Sequence, residues 1–263
     1  MTTADLGDVF DAGQKDFAVL SPVLWNPIGE ATVAQAEPLP DERVLDVCCG
    51  AGASAIPAAK AVGPSGHVDA IDLADRLLDL GRAAAADLPQ LDFVHADATA
   101  WPHKDYDIVQ CVFGIFFLPD MDASADRLVS LLNPGGRLVI TTWAEHAISP
   151  VPEILGEAVV AEGGQPARSG RGPAGQINTA DKLAGWLTAR GLHDVRVVTK
   201  EHSMPLDDET AWAIVMGSAM RIRLNGVEPS LLPRVRARFL DLLAARKVHE
   251  MNAVSLIGIG RTA

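Results

Sequence analysis

Three aspartates and a pair of glycines have the clearest capacity for chemistry. Asp46 lies inside an apolar run, Val44–Cys48, that ends in the turn Cys49-Gly50-Ala51-Gly52 before a helical segment. Glycine lets the backbone bend tightly and approach a ligand closely. The helix that follows offers unpaired N–H groups and a positive dipole end to an anionic group. Asp72 closes the next apolar run, about 20 residues beyond the turn, where a carboxylate can accept both hydrogen bonds of an adenosine ribose. Asp97-Ala98 follows a third run and is placed to meet an adenine edge. This order of groups points to a nucleotide. Gly50-x-Gly52-x-x-Ala55 also satisfies the dinucleotide fingerprint, so an NAD(P)-dependent oxidoreductase is one reading of the turn. Asp46 argues against it, because a carboxylate just before the glycines serves a cationic amine and gains nothing beside a pyrophosphate.

These residues need strands to carry them and helices to cover the strands. Short β-like runs at Val44–Cys48, Val68–Asp72, Leu91–His95, Asp107–Val112 and Leu138–Trp143 alternate with helical spacing at Ala53–Val62, Asp75–Asp87 and Met121–Leu132. Such alternation predicts right-handed crossovers and a parallel sheet covered on both faces. Gly50, Asp72 and Asp97 then fall at the carboxyl ends of the strands, where ligands bind in sheets of this kind. After Trp143 the pattern changes. Ser149–Gly175 is rich in Gly, Pro and Ala, and Gly163–Gly175 reads as a mobile loop. A helix over Thr179–Arg190 is capped at its Thr or Asp start and stopped by Gly191. A sixth strand is expected at Val195–Thr199, helices at Asp208–Leu224 and Pro229–Arg246, and a final strand at Asn252–Gly260.

Composition narrows the classes of function. Twenty-two basic against 34 acidic residues give a net charge of −12, a field that repels nucleic acid and anionic membrane. Cys48, Cys49 and Cys111 lie in or beside buried strands and read as reduced thiols, not a disulfide framework. The start of the chain lacks a basic region followed by an apolar stretch, and no apolar run is long enough to span a bilayer. A cytoplasmic protein with a small-molecule partner, contacting neither nucleic acid nor membrane, is the expectation.

The stretches VLDVCCGAGASAIPAA, HVDAIDLAD, FVHADATAW, YDIVQCVFGIFFLPDM and LNPGGRLVITTW run in order from Val44 to Trp143. Together they resemble the class I S-adenosylmethionine-dependent methyltransferases, particularly the bacterial small-molecule branch similar to ubiquinone/menaquinone-biosynthesis enzymes. The resemblance implies a doubly wound, Rossmann-like α/β fold. Its seven-stranded sheet is mostly parallel, with an antiparallel last strand inserted beside the fifth, and a helical cap completes it. Residues 1–40 would form an N-terminal helical lid. Residues 41–263 would form the methyltransferase domain, with cap insertions at about 146–178 and 206–248. S-adenosylmethionine would be the cofactor. Asp46 and the turn Cys48–Gly52, with Gly50, Ala51 and Gly52, would hold its methionine end. Asp72 would bind the ribose, Leu73 would pack on the adenine, Asp97 and Ala98 would address the adenine, and Val112 would lie near the methionine portion. Cys48 stands where the family usually has a third glycine, and predicts a backbone that does not need glycine there.

The acceptor side is less marked. Trp25, Trp143, Trp212 and Met216 are candidate substrate-pocket residues. Trp212, Met216 and Met220 recur every four residues, a stripe that serves core packing and a cap-helix pocket equally. His146 follows the fifth strand as a candidate general base or a solvated loop histidine. No histidine pair has metal-ligand spacing, so no metal is expected. Cys111-Val112-Phe113-Gly114 stands where nucleobase methylases of this class resemble one another in a Pro-Pro-aromatic motif, which disfavours that acceptor. The reaction implied is O- or C-methylation of an apolar or aromatic metabolite. A catalytically silent S-adenosylmethionine-binding protein is the alternative.

Overall fold

The computed structural model describes residues 3–167 and 172–263. Helices α1 (Thr3–Ala12) and α2 (Gln14–Leu20) lead through a π-helical turn, Ser21–Trp25, into α3 (Asn26–Ala36). The alternating region follows: β1 (Arg43–Val47), α4 (Ala55–Val62), β2 (His67–Asp72), α5 (Asp75–Ala84), β3 (Leu91–His95), β4 (Tyr106–Val112), α6 (Met121–Val129) and β5 (Leu132–Trp143). Then come α7 (Val151–Ala161), α8 (Ala180–Ala189), β6 (His193–Lys200), β7 (Ser203–Pro205), α9 (Asp208–Met216), α10 (Leu232–Ala245), β8 (Glu250–Asn252) and β9 (Ser255–Arg261).

Seven strands form one sheet in the order β3-β2-β1-β4-β5-β9-β6. β1 to β5 pair in parallel, and β9 runs antiparallel between β5 and β6. The doubly wound sheet with its inserted antiparallel strand is therefore present. Both faces are buried, as parallel strands require. On one face Leu45, Val47, Val109 and Ile140 pack against α6 and α8. On the other, Val44, Val68, Ile108 and Val139 pack against α3, α4 and α5. Ala55, Ala58 and Ala59 are wholly buried on α4, and their small size lets that helix lie close to the strands. Thr179 caps α8, its side chain accepting from the Lys182 N–H.

A third core lies outside the sheet, where Leu20, Leu24 and Ile28 meet α7, α9 and α10. The segment expected to be a lid thus divides. α3 is a layer of the sheet, its Thr32 hydroxyl 2.7 Å from that of Thr141 on β5. Only α1 and α2 lie over the strand ends.

Other boundaries also differ from expectation. The helix expected over Asp208–Leu224 breaks at Gly217, and the chain continues as a 3-10 turn, Ala219–Leu224. The final strand is two: β8 pairs with β7 in a small separate sheet before β9 begins. α7 lies in the Gly-, Pro- and Ala-rich region, with its buried Val151, Ile154, Leu155 and Val159 packing into the cap. The mobile loop expected at Gly163–Gly175 falls partly outside the described residues. No described helix is long and apolar enough to cross a membrane.

Candidate active site

The glycine turn is built from backbone held in unusual conformations. Cys48, Gly50 and Gly52 have φ of +57°, +54° and +85°. Glycine adopts such values freely, whereas a side chain there costs on the order of 1–2 kcal/mol. Cys48 sits in the small left-handed region that L-residues can adopt, so the backbone there does not require glycine. Hydrogen bonds to the adjoining residues hold the turn in place. Cys49 N–H donates to Ile71 O at 3.1 Å and Gly52 N–H to Cys49 O at 2.9 Å. Gly50 N–H donates to the Asp72 carboxylate at 2.8 Å. The second oxygen of Asp72 accepts from Ala74 N–H at 2.9 Å. Burial pushes the Asp72 pKa up, against the pull of these backbone donors.

Asp46 stands one layer behind the turn and is wholly buried. One of its oxygens accepts from Ser54 Oγ at 2.7 Å and from Gln110 Nε2, on the paired strand, at 2.9 Å. The other oxygen, Oδ1, has no partner. Burial pushes its pKa up to about 7, the two hydrogen bonds pull it down, and the Asp72 charge raises it slightly. The Cys48 thiol is pushed well up by its hydrogen bond to Cys111 and by burial, and the Cys49 thiol by burial. Both are protonated, which matches inert packing better than redox chemistry.

In front of this turn lies a cavity of about 210 Å³. Cys48, Cys49, Gly50, Ser54, Asp72 and Leu73 form one wall. The rest of the lining is rich in rings: Phe10, Phe17, Trp25, Phe113, Phe116, Phe117 and Trp143 all belong to it. These are seven of the chain's thirteen Phe, Trp and Tyr residues, so the chain concentrates its few rings on this one feature. Phe113 and Trp143 stack at 3.9 Å and 18°, and Phe17 stacks on Trp25 at 5.3 Å and 20°. Trp25 meets the first pair edge-on through Phe113, 6.1 Å away. Among the described residues, the polar ones in the lining are Cys48, Cys49, Ser54, Asp72, Trp25 and Ser218.

α1 and α2 roof the cavity. A Cβ added to Gly7 would lie 2.7 Å from the Leu73 carbonyl oxygen, so α1 sits directly on the end of β2. The Asp11 carboxylate accepts from the Arg76 N–H at 2.8 Å. The Phe17 ring lies against Gly50, 3.2 Å from where a Cβ would stand.

Of the residues singled out from the sequence, Cys48, Gly50, Asp72, Leu73, Val112, Trp25 and Trp143 come together around this cavity. Asp46 stands behind Ser54, and neither Ala51 nor Gly52 is in the lining. Asp97 and Ala98 also lie outside it, and Asp97 caps a short 3-10 turn by accepting from Thr99 N–H and Oγ1 at 2.8 and 2.7 Å. His146 is exposed on a turn and is not in the lining, which corrects its candidacy as a base on this surface. Trp212 and Met216 are corrected too. Trp212 packs on Phe239 of α10 at 6.3 Å, and the break at Gly217 instead turns Ser218, Ala219 and Met220 into the cavity.

Sequence reasoning missed Phe10, Phe17, Phe113, Phe116 and Phe117. Their signal was present in Phe113-Gly-Ile-Phe116-Phe117, an aromatic cluster directly after a strand whose carboxyl end faces the ligand side. At the opposite end of the sheet His67, Asp69 and Asp92 bring one ligand atom each within 4.8 Å of one another. Linear spacing could not show that juxtaposition, because Asp69 and Asp92 meet only through the β2–β3 register.

Residues 44–136 match the family model described as a methyltransferase domain. The chain is similar to an aklanonic acid methyltransferase of Streptomyces sp. (strain C5), with 32% identity over 137 residues, 51% of this chain and 62% of that protein. It is also similar to a demethylmenaquinone methyltransferase of Staphylococcus aureus (strain JH9), with 37% identity over 99 residues, 37% of this chain and 41% of that protein. The chain thus spans less than two thirds of the length of these curated relatives. Among solved structures, the cyclase SpnF aligns with a TM-score of 0.61 at 15% identity, over 99% of this chain and 96% of that one. The YcgJ protein of Bacillus subtilis aligns with a TM-score of 0.55 at 15% identity, over 88% and 96%. At these identities the two structures share the fold.

Proposed function

We propose, from the class I S-adenosylmethionine-dependent methyltransferase domain that this chain carries, that the protein transfers a methyl group from S-adenosylmethionine to the oxygen or carbon of a small, flat, apolar acceptor. One observation carries the reading: a single cavity is lined both by the Asp72–glycine turn and by seven aromatic rings. The turn side suits the cofactor. Asp72 and Leu73 would hold the adenosine, and the Cys48–Gly50 backbone would hold the amino-acid end. The orphaned buried oxygen of Asp46 fits a site that receives a cationic amine behind that turn.

When bound, the cofactor supplies an electrophilic methyl on a sulfonium. The protein's own residues orient the acceptor and keep water out. The described lining holds no His, Lys, Arg or Glu, so alignment takes the main part. Orientation alone can contribute about 7–11 kcal/mol to lowering a bimolecular barrier. An acceptor that loses its own proton readily, such as a phenol or an enol, fits this environment best. The roof of α1 and α2 and the net charge of −12 support a small acceptor over a nucleic acid.

The test is transfer of labelled methyl from S-adenosylmethionine to a panel of phenols, naphthols and hydroquinones. The reading expects a labelled organic product that disappears in Asp72→Ala. Binding of S-adenosylhomocysteine with no transfer to any acceptor would favour a silent binder.

A further inference from the structure

The Trp25 indole N–H has no hydrogen-bond partner although it is buried. A buried Trp N–H normally finds an acceptor, and leaving a buried donor unpaired costs on the order of 1–3 kcal/mol. The position is also unusual in its backbone. Trp25 ends the π-helical turn Ser21–Trp25, in which the Asn26 N–H reaches back to the Ser21 carbonyl. Turns of this kind insert one extra residue into a helix and re-aim the side chains around them, frequently at functional sites. Here the turn puts Trp25 among the rings of Phe17, Phe113 and Trp143, which come from three separate parts of the chain. Phe113 reaches that cluster through a φ of +56°, a strained value for an aromatic residue, pinned by its N–H donating to Thr141 O at 2.9 Å.

These observations concern one wall of one cavity. The other polar groups of the lining are Cys48, Cys49, Ser54 and Asp72, which belong to the turn wall or stand beside it, and Ser218 from the cap. The Ser218 hydroxyl is already engaged, donating to Ile214 O at 2.6 Å and accepting from Met220 N–H at 3.1 Å. The Trp25 N–H is therefore the uncommitted donor of the aromatic wall among the described residues.

We infer that Trp25 is the positioning and specificity-determining residue for the methyl acceptor. Its N–H receives an oxygen of a planar ring system while the Phe17–Trp25 and Phe113–Trp143 pairs hold the ring faces. This rests on the methyl-transfer reading of the same cavity. It predicts that the protein prefers flat acceptors carrying a carbonyl or hydroxyl oxygen to hydrocarbons of the same shape.

The experiment uses the full chain saturated with S-adenosylhomocysteine and two matched probes, 1-naphthol and 1-methylnaphthalene, with affinities from equilibrium dialysis. Trp25→Phe keeps an aromatic ring and removes the donor. The ratio of 1-naphthol to 1-methylnaphthalene affinity should therefore be about fivefold higher in the wild type than in the variant, the value of one neutral hydrogen bond. The thermal shift with S-adenosylhomocysteine should persist in that variant, which shows that the fold and the cofactor wall are intact. A ratio of the two affinities that is the same in Trp25→Phe as in the wild type overturns the assignment. Failure of the wild type to bind S-adenosylhomocysteine would instead strike at the cofactor reading on which it rests.

Discussion

The two walls of the cavity are made by different physics. The turn wall is backbone: Cys48, Gly50 and Gly52 at positive φ, with Asp72 accepting from two N–H groups. Its geometry is fixed by a few backbone bonds that tie the turn to the end of the neighbouring strand. The aromatic wall is made of side chains. Its rings come from α1, α2, the π-helical turn and the ends of β4 and β5, and stacking and burial hold them together. A wall of the first kind recognises one ligand geometry and tolerates little change. A wall of the second kind recognises shape and area, and it meets the turn wall where the Phe17 ring lies against Gly50.

If that contrast holds, damage to each wall should be selective. The largest effect is expected for Asp72→Ala, which removes the acceptor for Gly50 and Ala74 and the carboxylate of the turn wall. S-adenosylhomocysteine affinity should fall by about 100-fold, on the order of 2.7 kcal/mol, as measured by calorimetry. Next comes Trp143→Ala on the aromatic wall. It should weaken 1-naphthol binding about tenfold, in line with the loss of a stacked ring and its buried area, and change S-adenosylhomocysteine affinity less than about twofold. Equal losses for both ligands would break the comparison.

A third effect tests the layer behind the turn. The pKa of Asp46 is raised to about 7 from 3.8 by burial. A raised carboxyl pKa contributes stability below the unfolded value, and that contribution is lost as pH rises from about 4 through 7. Asp46→Asn removes this titration. Its melting temperature relative to wild type should therefore rise by at least about 3 °C between pH 5 and pH 8, a shift equivalent to roughly 1 kcal/mol in a chain of this size. A constant difference across that range would mean that Asp46 is ionised throughout. The smallest effect belongs to Trp212→Phe. This residue packs on Phe239 away from the lining, so affinity for either ligand should change less than about twofold while stability falls slightly.

The same contrast explains what the sequence revealed. Asp46, Gly50 and Asp72 were legible because they follow one strand–turn–helix–strand pattern, whose second strand pairs beside the first and brings Asp72 to the turn. The parallel sheet was legible for the same reason, and so was the place of β9 once the resemblance was recognised. The aromatic wall was not. Phe10 and Phe17 reach the cavity only because α1 and α2 fold back over β2, a long-range packing that no periodicity records. Trp212 was misplaced because its four-residue stripe assumed one continuous helix, whereas Gly217, pressed against the backbone of Phe17, ends α9 early. The left-handed backbone of Cys48 was not legible from its type, because the bonds around the turn set it.

The central claim is that the turn wall holds an adenosyl cofactor. Isothermal calorimetry of the full-length chain with S-adenosylhomocysteine and with NAD, repeated in Asp72→Ala, tests it most directly. The account predicts saturable binding of S-adenosylhomocysteine, none of NAD, and loss of the adenosyl signal in the variant. Binding of NAD in place of S-adenosylhomocysteine, or adenosyl binding untouched by loss of Asp72, would contradict it.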